Sequence, residues 1–129
     1  MLVFYNFVAR RREINKLYRK LLMNIPEIKF HTNPSIDYNS NYWLTCILID
    51  PQTCGFSNEE LRIKMEEENI ETRHLWKPMH LQPIFKDCPF YGNGISESLF
   101  DHGLCLPSSP ILSSDDIKRV AHVIENSVK

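Results

Sequence analysis

Between Asn41 and Asp50 the chain carries Tyr42, Trp43, Leu44, Cys46, Ile47, Leu48 and Ile49 with a single threonine among them. An apolar run this continuous, rich in β-branched and aromatic side chains, is the pattern of a central strand covered on both faces. It calls for strands on either side and helices above, and the rest of the chain must supply them. With 129 residues there is room for one domain burying roughly two thirds of the surface its unfolded form exposes.

The flanking segments have the required periodicities. From Asn6 to Met23, Phe7, Ile14, Leu17, Tyr18, Leu21 and Leu22 fall near helical spacing, and Pro26 ends the helix. Arg10, Arg11 and Arg12, followed by Lys16, Arg19 and Lys20, mark a solvated face of that helix. Leu2, Val3, Phe4, Tyr5 and Phe7 exceed what a helix end in a small domain buries, which predicts a partner surface there, either a second copy or a large-domain partner. Residues 27–40 read as a strand and a polar loop, and Pro51 to Gly55 as a turn. Ser57 and Glu60 have capping-box spacing ahead of a helix reaching Asn69, with Leu61 and Met65 inward. Glu66, Glu67 and Glu68 at its end oppose the helix dipole without a sequence-level reason. A short helix over Ser96 to His102, a buried edge strand at Leu104 to Leu106 stopped by Pro107, and a last helix capped by Ser113 and Asp116 complete the order. That helix buries Ile117, Val120, Ala121 and Ile124. The expectation is a single α+β two-layer domain over 1–129, a leading helix over 1–25 and an α/β body over 26–129, with helices packed on a small, mostly antiparallel sheet.

Asn69 to Phe85, NIETRHLWKPMHLQPIF, is the one stretch dense enough in polar and aromatic groups to suggest a ligand. Ile70, Thr72 and His74 alternate with Glu71, Arg73 and Leu75 as in a short strand, and Pro78 and Pro83 then force the chain out of it. The segment reads either as a constrained binding loop or as packing at a sheet end with polar tips.

Several chemistries are disfavoured. A net charge of −1 gives no reason to expect nucleic acid or an anionic membrane. The opening MLVFYNFVA is too short to span a bilayer and lacks the flanks of an export signal. Cys46, Cys54, Cys88 and Cys105 form no CxxC pair, so thiols in a cytoplasmic protein are expected, with a disulfide left open. The five histidines have no zinc-ligand spacing, and a Cys/His nucleophile has no local motif. Neither a phosphate loop nor a nucleophile elbow is present.

The runs ENIETRHLWKPMHLQPIF, SESLFDHGLCLPS and SSDDIKRVAHVIE, with ARRREINKLYRKLL upstream, resemble the C-terminal portion of the DegT/DnrJ/EryC1/StrS sugar aminotransferases. The resemblance covers nearly the whole chain except the loops between Glu27 and Asn41. It implies the small domain of a fold-type-I, pyridoxal-phosphate-dependent enzyme that aminates nucleotide-linked keto-sugars. Trp76 points to the branch acting on 4-keto-6-deoxy sugars in bacterial glycan synthesis. By resemblance Arg73, His74, Trp76, Lys77, Pro78, His80 and Gln82 line the substrate side of a cleft, with His80 and Gln82 as polar contacts, Trp76 as an apolar wall and Lys77 beside substrate phosphates. The family's Schiff-base lysine, its aspartate on the pyridine nitrogen and its phosphate-binding hydroxyls have no counterpart in these residues, so no cofactor is expected on this chain alone. The resulting expectation is a non-catalytic portion of a nucleotide-sugar aminotransferase. The alternatives are a stand-alone interaction or assembly module on the same fold, and an independent Cys/His hydrolase.

Overall fold

The apolar run becomes β2 (Thr45–Ile49), which lies inside a four-stranded, wholly antiparallel sheet. On its flanks are β1 (Ile28–Phe30) and β4 (Gly103–Leu106), and the two-residue β3 (Arg73–His74) completes the order β1-β2-β4-β3. The structure, a computed structural model, describes the chain from Leu2 to Val128, with side chains from Asn6 onward.

β2 is shorter than expected, because Asn41 to Leu44 do not join it. The Ser40 hydroxyl accepts from Tyr42 N at 3.0 Å and the Asn41 side chain from Trp43 N at 3.0 Å. Such side-chain turns divert backbone donors from a strand ladder, and here they hold Tyr42 at φ 46. Trp43 is consequently 58% exposed rather than covered. A second difference is that Leu104 to Leu106 are not an edge strand. β4 is buried at all four positions because β3 pairs its far side, Arg73 against Cys105 and His74 against Leu104.

One face of the sheet carries the core. Thr45, Ile47 and Ile49 of β2, with Leu104 and Leu106 of β4, meet helices α1 (Leu2–Leu21), α3 (Asn58–Glu67) and α5 (Ser114–Glu125). α1 contributes Ile14 and Tyr18, and the Tyr18 hydroxyl donates to Pro107 O at 3.0 Å, fixing the chain where β4 ends. Burial pushes the Tyr18 phenol well above its ordinary range, so it stays a donor. α1 starts before Asn6 and ends at Leu21, ahead of Pro26. Its arginines are not simply solvated. Arg10 donates to Leu112 O at 2.7 Å, Arg12 to Ser40 O at 3.0 Å and Arg19 to His31 O at 2.9 Å. The basic face ties the first helix to two loops, residues 31–44 at two points and residues 107–113 at one.

The predicted turn after β2 is a single helical turn, α2 (Pro51–Cys54), capped by Asp50 and closed by Gly55 at φ 76. The capping boxes at Ser57 and Ser113 are both formed, and Ile117, Val120, Ala121 and Ile124 are buried as the spacing predicts. α3 ends before Asn69, which takes the left-handed conformation at φ 56. Asn69 N then donates to Glu66 O at 2.9 Å and Ile70 N to Met65 O at 2.8 Å, the paired bonds of a Schellman turn, with Ile70 and Met65 both buried. Positive charge offsets part of the acidic helix end. Arg62 pairs with Glu66 at 2.9 Å, and the Arg119 guanidinium donates to the Glu68 carbonyl, bringing positive charge to the negative end of the dipole. The turn also aims the chain into β3.

α4 (Ile95–His102) follows Gly94, which stands at φ 78, and runs directly into β4 at Gly103. A side chain at Gly103 would meet Leu75 and the Leu99 carbonyl, so this corner admits only glycine without a shift. The side chains of Leu2, Val3, Phe4 and Tyr5, four of the five in the expected partner surface, lie outside the described residues, while Phe7 is 48% exposed. Among the described residues no helix is long and apolar enough to cross a membrane.

Candidate functional site

An open groove of about 430 Å³ lies beside edge strand β3. Its walls include Arg73 and His74 from β3, Thr72 before it and Trp76 after it, facing Trp43 and Cys105. The Trp43 and Trp76 rings lie 6.0 Å apart at 36°, giving one side of the groove a continuous aromatic surface. Trp76 is 66% exposed, so this surface is open to solvent. The Arg73 guanidinium is held by Glu71 through bonds of 2.8 and 2.5 Å. With both side chains largely exposed, that pair is cheaply exchanged for another anion. The Thr72 hydroxyl is buried and has no hydrogen-bond partner among the described residues.

His74 is oriented from both ring nitrogens. Asn58 Nδ2 donates to Gly103 O at 3.1 Å, while Asn58 Oδ1 accepts from Glu59 N at 3.0 Å, which fixes the amide's orientation. The same Nδ2 lies 3.1 Å from His74 Nδ1, so that nitrogen accepts. The ring proton therefore sits on Nε2, which meets Glu59 Oε2 at 2.7 Å. Glu59 in turn receives two bonds from Arg62, at 2.8 and 2.9 Å. Arg62 first, and His74 second, hold the Glu59 carboxyl down at about 2. A carboxyl lowered on folding stabilises the protein above its ordinary range and ceases to do so as pH falls through the folded value. Stability is therefore expected to decline between about pH 4 and about pH 2. Glu59→Gln should flatten that decline in urea midpoints measured at stepped pH; parallel curves for the two proteins would contradict the assignment.

The remaining residues of the central stretch are placed differently. Lys77 is exposed and does not line the groove. Pro78 is buried and starts the first of two 3-10 turns, Met79–Leu81 and Pro83–Phe85. His80 stacks on Phe90, with centroids 3.5 Å apart, and meets Glu97 at 2.7 Å. Gln82 donates to Lys77 O at 3.3 Å and lies 3.6 Å from Met79 Sδ. These bonds fold the loop onto itself and onto α4. Trp43, Thr72 and Cys105 are groove residues that sequence reasoning did not single out as such. For Trp43 the available signal was the pair of turn-forming residues, Ser40 and Asn41, just before it.

The profile of the DegT/DnrJ/EryC1/StrS aminotransferase family matches residues 2–125. The chain belongs to that family. Among its relatives is EpsN of Bacillus subtilis (strain 168), which carries the name of a pyridoxal phosphate-dependent aminotransferase and is 36% identical over 121 residues. That alignment takes in 91% of this chain and 30% of EpsN. A GDP-perosamine synthase of Escherichia coli O157:H7 is 30% identical over 112 residues, 87% of this chain and 29% of that enzyme. A crystal structure of a DegT/DnrJ/EryC1/StrS aminotransferase from Brucella abortus superposes with a TM-score of 0.77 at 25% identity, covering 95% of this chain and 31% of that one. The α+β fold is thus that of the small domain of fold-type-I sugar aminotransferases, and the chain spans about 30% of the length of the relatives it matches.

Full-length family members depend on pyridoxal phosphate, which needs a lysine amine for its carbonyl, an acid for its ring nitrogen and donors for its phosphate. Among the described residues no lysine lines the groove. The groove residues present do not supply the lysine that would hold the cofactor.

Proposed function

We propose that this chain forms the small-domain side of a nucleotide-sugar aminotransferase of the 4-keto-6-deoxy type. It contacts the sugar nucleotide, while residues other than these hold the cofactor, so the 129-residue polypeptide does not transaminate unaided. The supporting observation is that Thr72, Arg73, His74 and Trp76, all from the family-like run, open with Trp43 onto one groove. Aromatic rings take the apolar face of a sugar or a nucleobase, and a guanidinium fork suits a diphosphate once it exchanges away from Glu71. Lys77, His80 and Gln82 belong to this proposal as contacts made when the loop closes on substrate, His80 exchanging Glu97 for the ligand. GDP-perosamine synthase, one of the relatives, carries a nucleotide-linked sugar in its name.

Both tryptophans of the chain stand at the groove, so their fluorescence is the direct readout. Titration with a nucleoside-diphosphate 4-keto-6-deoxy sugar should quench it saturably, and Trp76→Ala should weaken binding about tenfold. With pyridoxal phosphate and glutamate added, no amino transfer is expected. Turnover by the polypeptide alone, or a stoichiometric Schiff base at Lys77, would refute the proposal.

A second reading, a module that assembles through the first helix with a second copy or a large-domain partner, draws on the exposure of Phe7. Light scattering decides it: Phe7→Ser should shift a self-associated chain toward monomer, whereas a chain monomeric at all concentrations, with no partner recovered, removes this reading.

A further inference from the structure

Cys46 and Cys105, remote in sequence, sit directly opposite each other on β2 and β4. The Cys46 carbonyl accepts from His31 N at 3.1 Å, on the β1 side. In an antiparallel strand the N–H and C=O of one residue point the same way, so Cys46 makes no backbone bond to Cys105. Thr45 N, which points to the other side and meets Ser108 Oγ at 2.8 Å, agrees. The two cysteines therefore form the narrow, non-hydrogen-bonded kind of cross-strand pair, with a Cα separation of ~4.5 Å, inside the range of about 4.4–6.8 Å that disulfides span. Their Sγ atoms are already 3.8 Å apart. Among the described residues Cys54 and Cys88 have no such neighbour: Cys54 points its thiol at Glu27 O, 3.4 Å away, and Cys88 is exposed.

We propose that Cys46 and Cys105 are a reversible dithiol–disulfide modification site, closed by exchange with a low-molecular-weight disulfide such as glutathione disulfide. Cys46 is the attacking thiol, because it is only half-buried whereas Cys105 is 5% exposed. Either thiol can donate across the 3.8 Å contact; with Cys105 as the donor, the bond lowers Cys46 below the ordinary thiol range and, with burial, raises Cys105. Cys46 thiolate attacks one glutathione sulfur and expels the other as a thiolate, giving a mixed disulfide. Cys105 then loses its proton and attacks Cys46 Sγ, forming the internal bond and expelling the second glutathione thiolate. Both protein protons end on glutathione: two protein thiols are oxidised and one glutathione disulfide is reduced to two thiols. Cys105, but not Cys46, lines the groove, so the bond would form at its margin.

The test takes the reduced chain, exposes it to glutathione disulfide, alkylates what remains and maps the peptides by mass spectrometry. Free thiols should fall from four to two, with Cys46 and Cys105 in one cross-linked species, Cys54 and Cys88 alkylated, and all four recovered with dithiothreitol. The cross-link should persist in Cys88→Ser, which removes the exposed thiol from competition. Cys105→Ser should halt at a stable glutathione adduct on Cys46, and Cys46→Ser should leave Cys105 unmodified. Four titratable thiols after exposure, a lasting glutathione adduct on Cys46 of the unsubstituted chain, or oxidation confined to bonds between chains at Cys88 would each overturn the proposal.

Discussion

Replacing Leu104 with alanine is expected to lower the unfolding free energy by about 2–5 kcal/mol, the range for deleting a fully enclosed leucine. Leu104 has no solvent exposure, and its strand is paired on both sides, by Ile47 of β2 and His74 of β3. A strand on a sheet edge can shift to collapse a cavity, but one fixed by two ladders cannot, which places the cost toward the upper part of that range. Against the roughly 5–15 kcal/mol that stabilises a typical domain, the loss is a large share of the whole. Urea unfolding should show the midpoint falling with the slope unchanged. A midpoint shift worth less than about 1 kcal/mol would mean that the site collapses freely and that β4 is not held as described.

Asn58→Ala should cost about 1–3 kcal/mol through an unsatisfied acceptor rather than a cavity. Asn58 is buried, and its amide joins three elements: the Gly103 carbonyl where β4 starts, the His74 ring on β3 and the first turn of its own helix. Removing it leaves the Gly103 carbonyl without that donor and releases His74 Nδ1 from its fixed acceptor role. Two measurements separate this from general loosening. The urea midpoint reports the energy, and nitrogen chemical shifts of His74 should change from a single Nε2-protonated form to a mixture of tautomers. A loss of stability with the His74 tautomer unchanged would show that Asn58 does not set it.

What could be read before the structure depended on how local each determinant is. The boxes at Ser57 and Ser113 are complete within four residues, so both helix starts were legible, as was the buried face of the last helix. The Schellman turn at Asn69 was missed although it too is local, because asparagine marks a left-handed cap less clearly than glycine does. The interior position of β4 was not legible, since it depends on β3, a two-residue strand that no propensity would identify. The proximity of Cys46 to Cys105 was hidden for the same reason: register between strands remote in sequence is set by the whole core. At the site, of the residues the resemblance set beside a cleft, Arg73, His74 and Trp76 line the groove, whereas Lys77, His80 and Gln82 do not. Trp43 was taken for core because it stands in the apolar run, and the diversion of its backbone by Ser40 and Asn41 is a competition that hydrophobicity does not record. The enclosure of His80 by Phe90 and Glu97 requires two further segments of chain and had no local signal.

The order of the sheet also has a bearing on biosynthesis. β2 is made at residues 45–49, but the strand that seals its far side comes only at residues 103–106. During translation the greasiest strand must wait, with one row of amides and carbonyls open, while more than fifty residues emerge. A nascent polypeptide stalled in that interval is the form most exposed to misassociation.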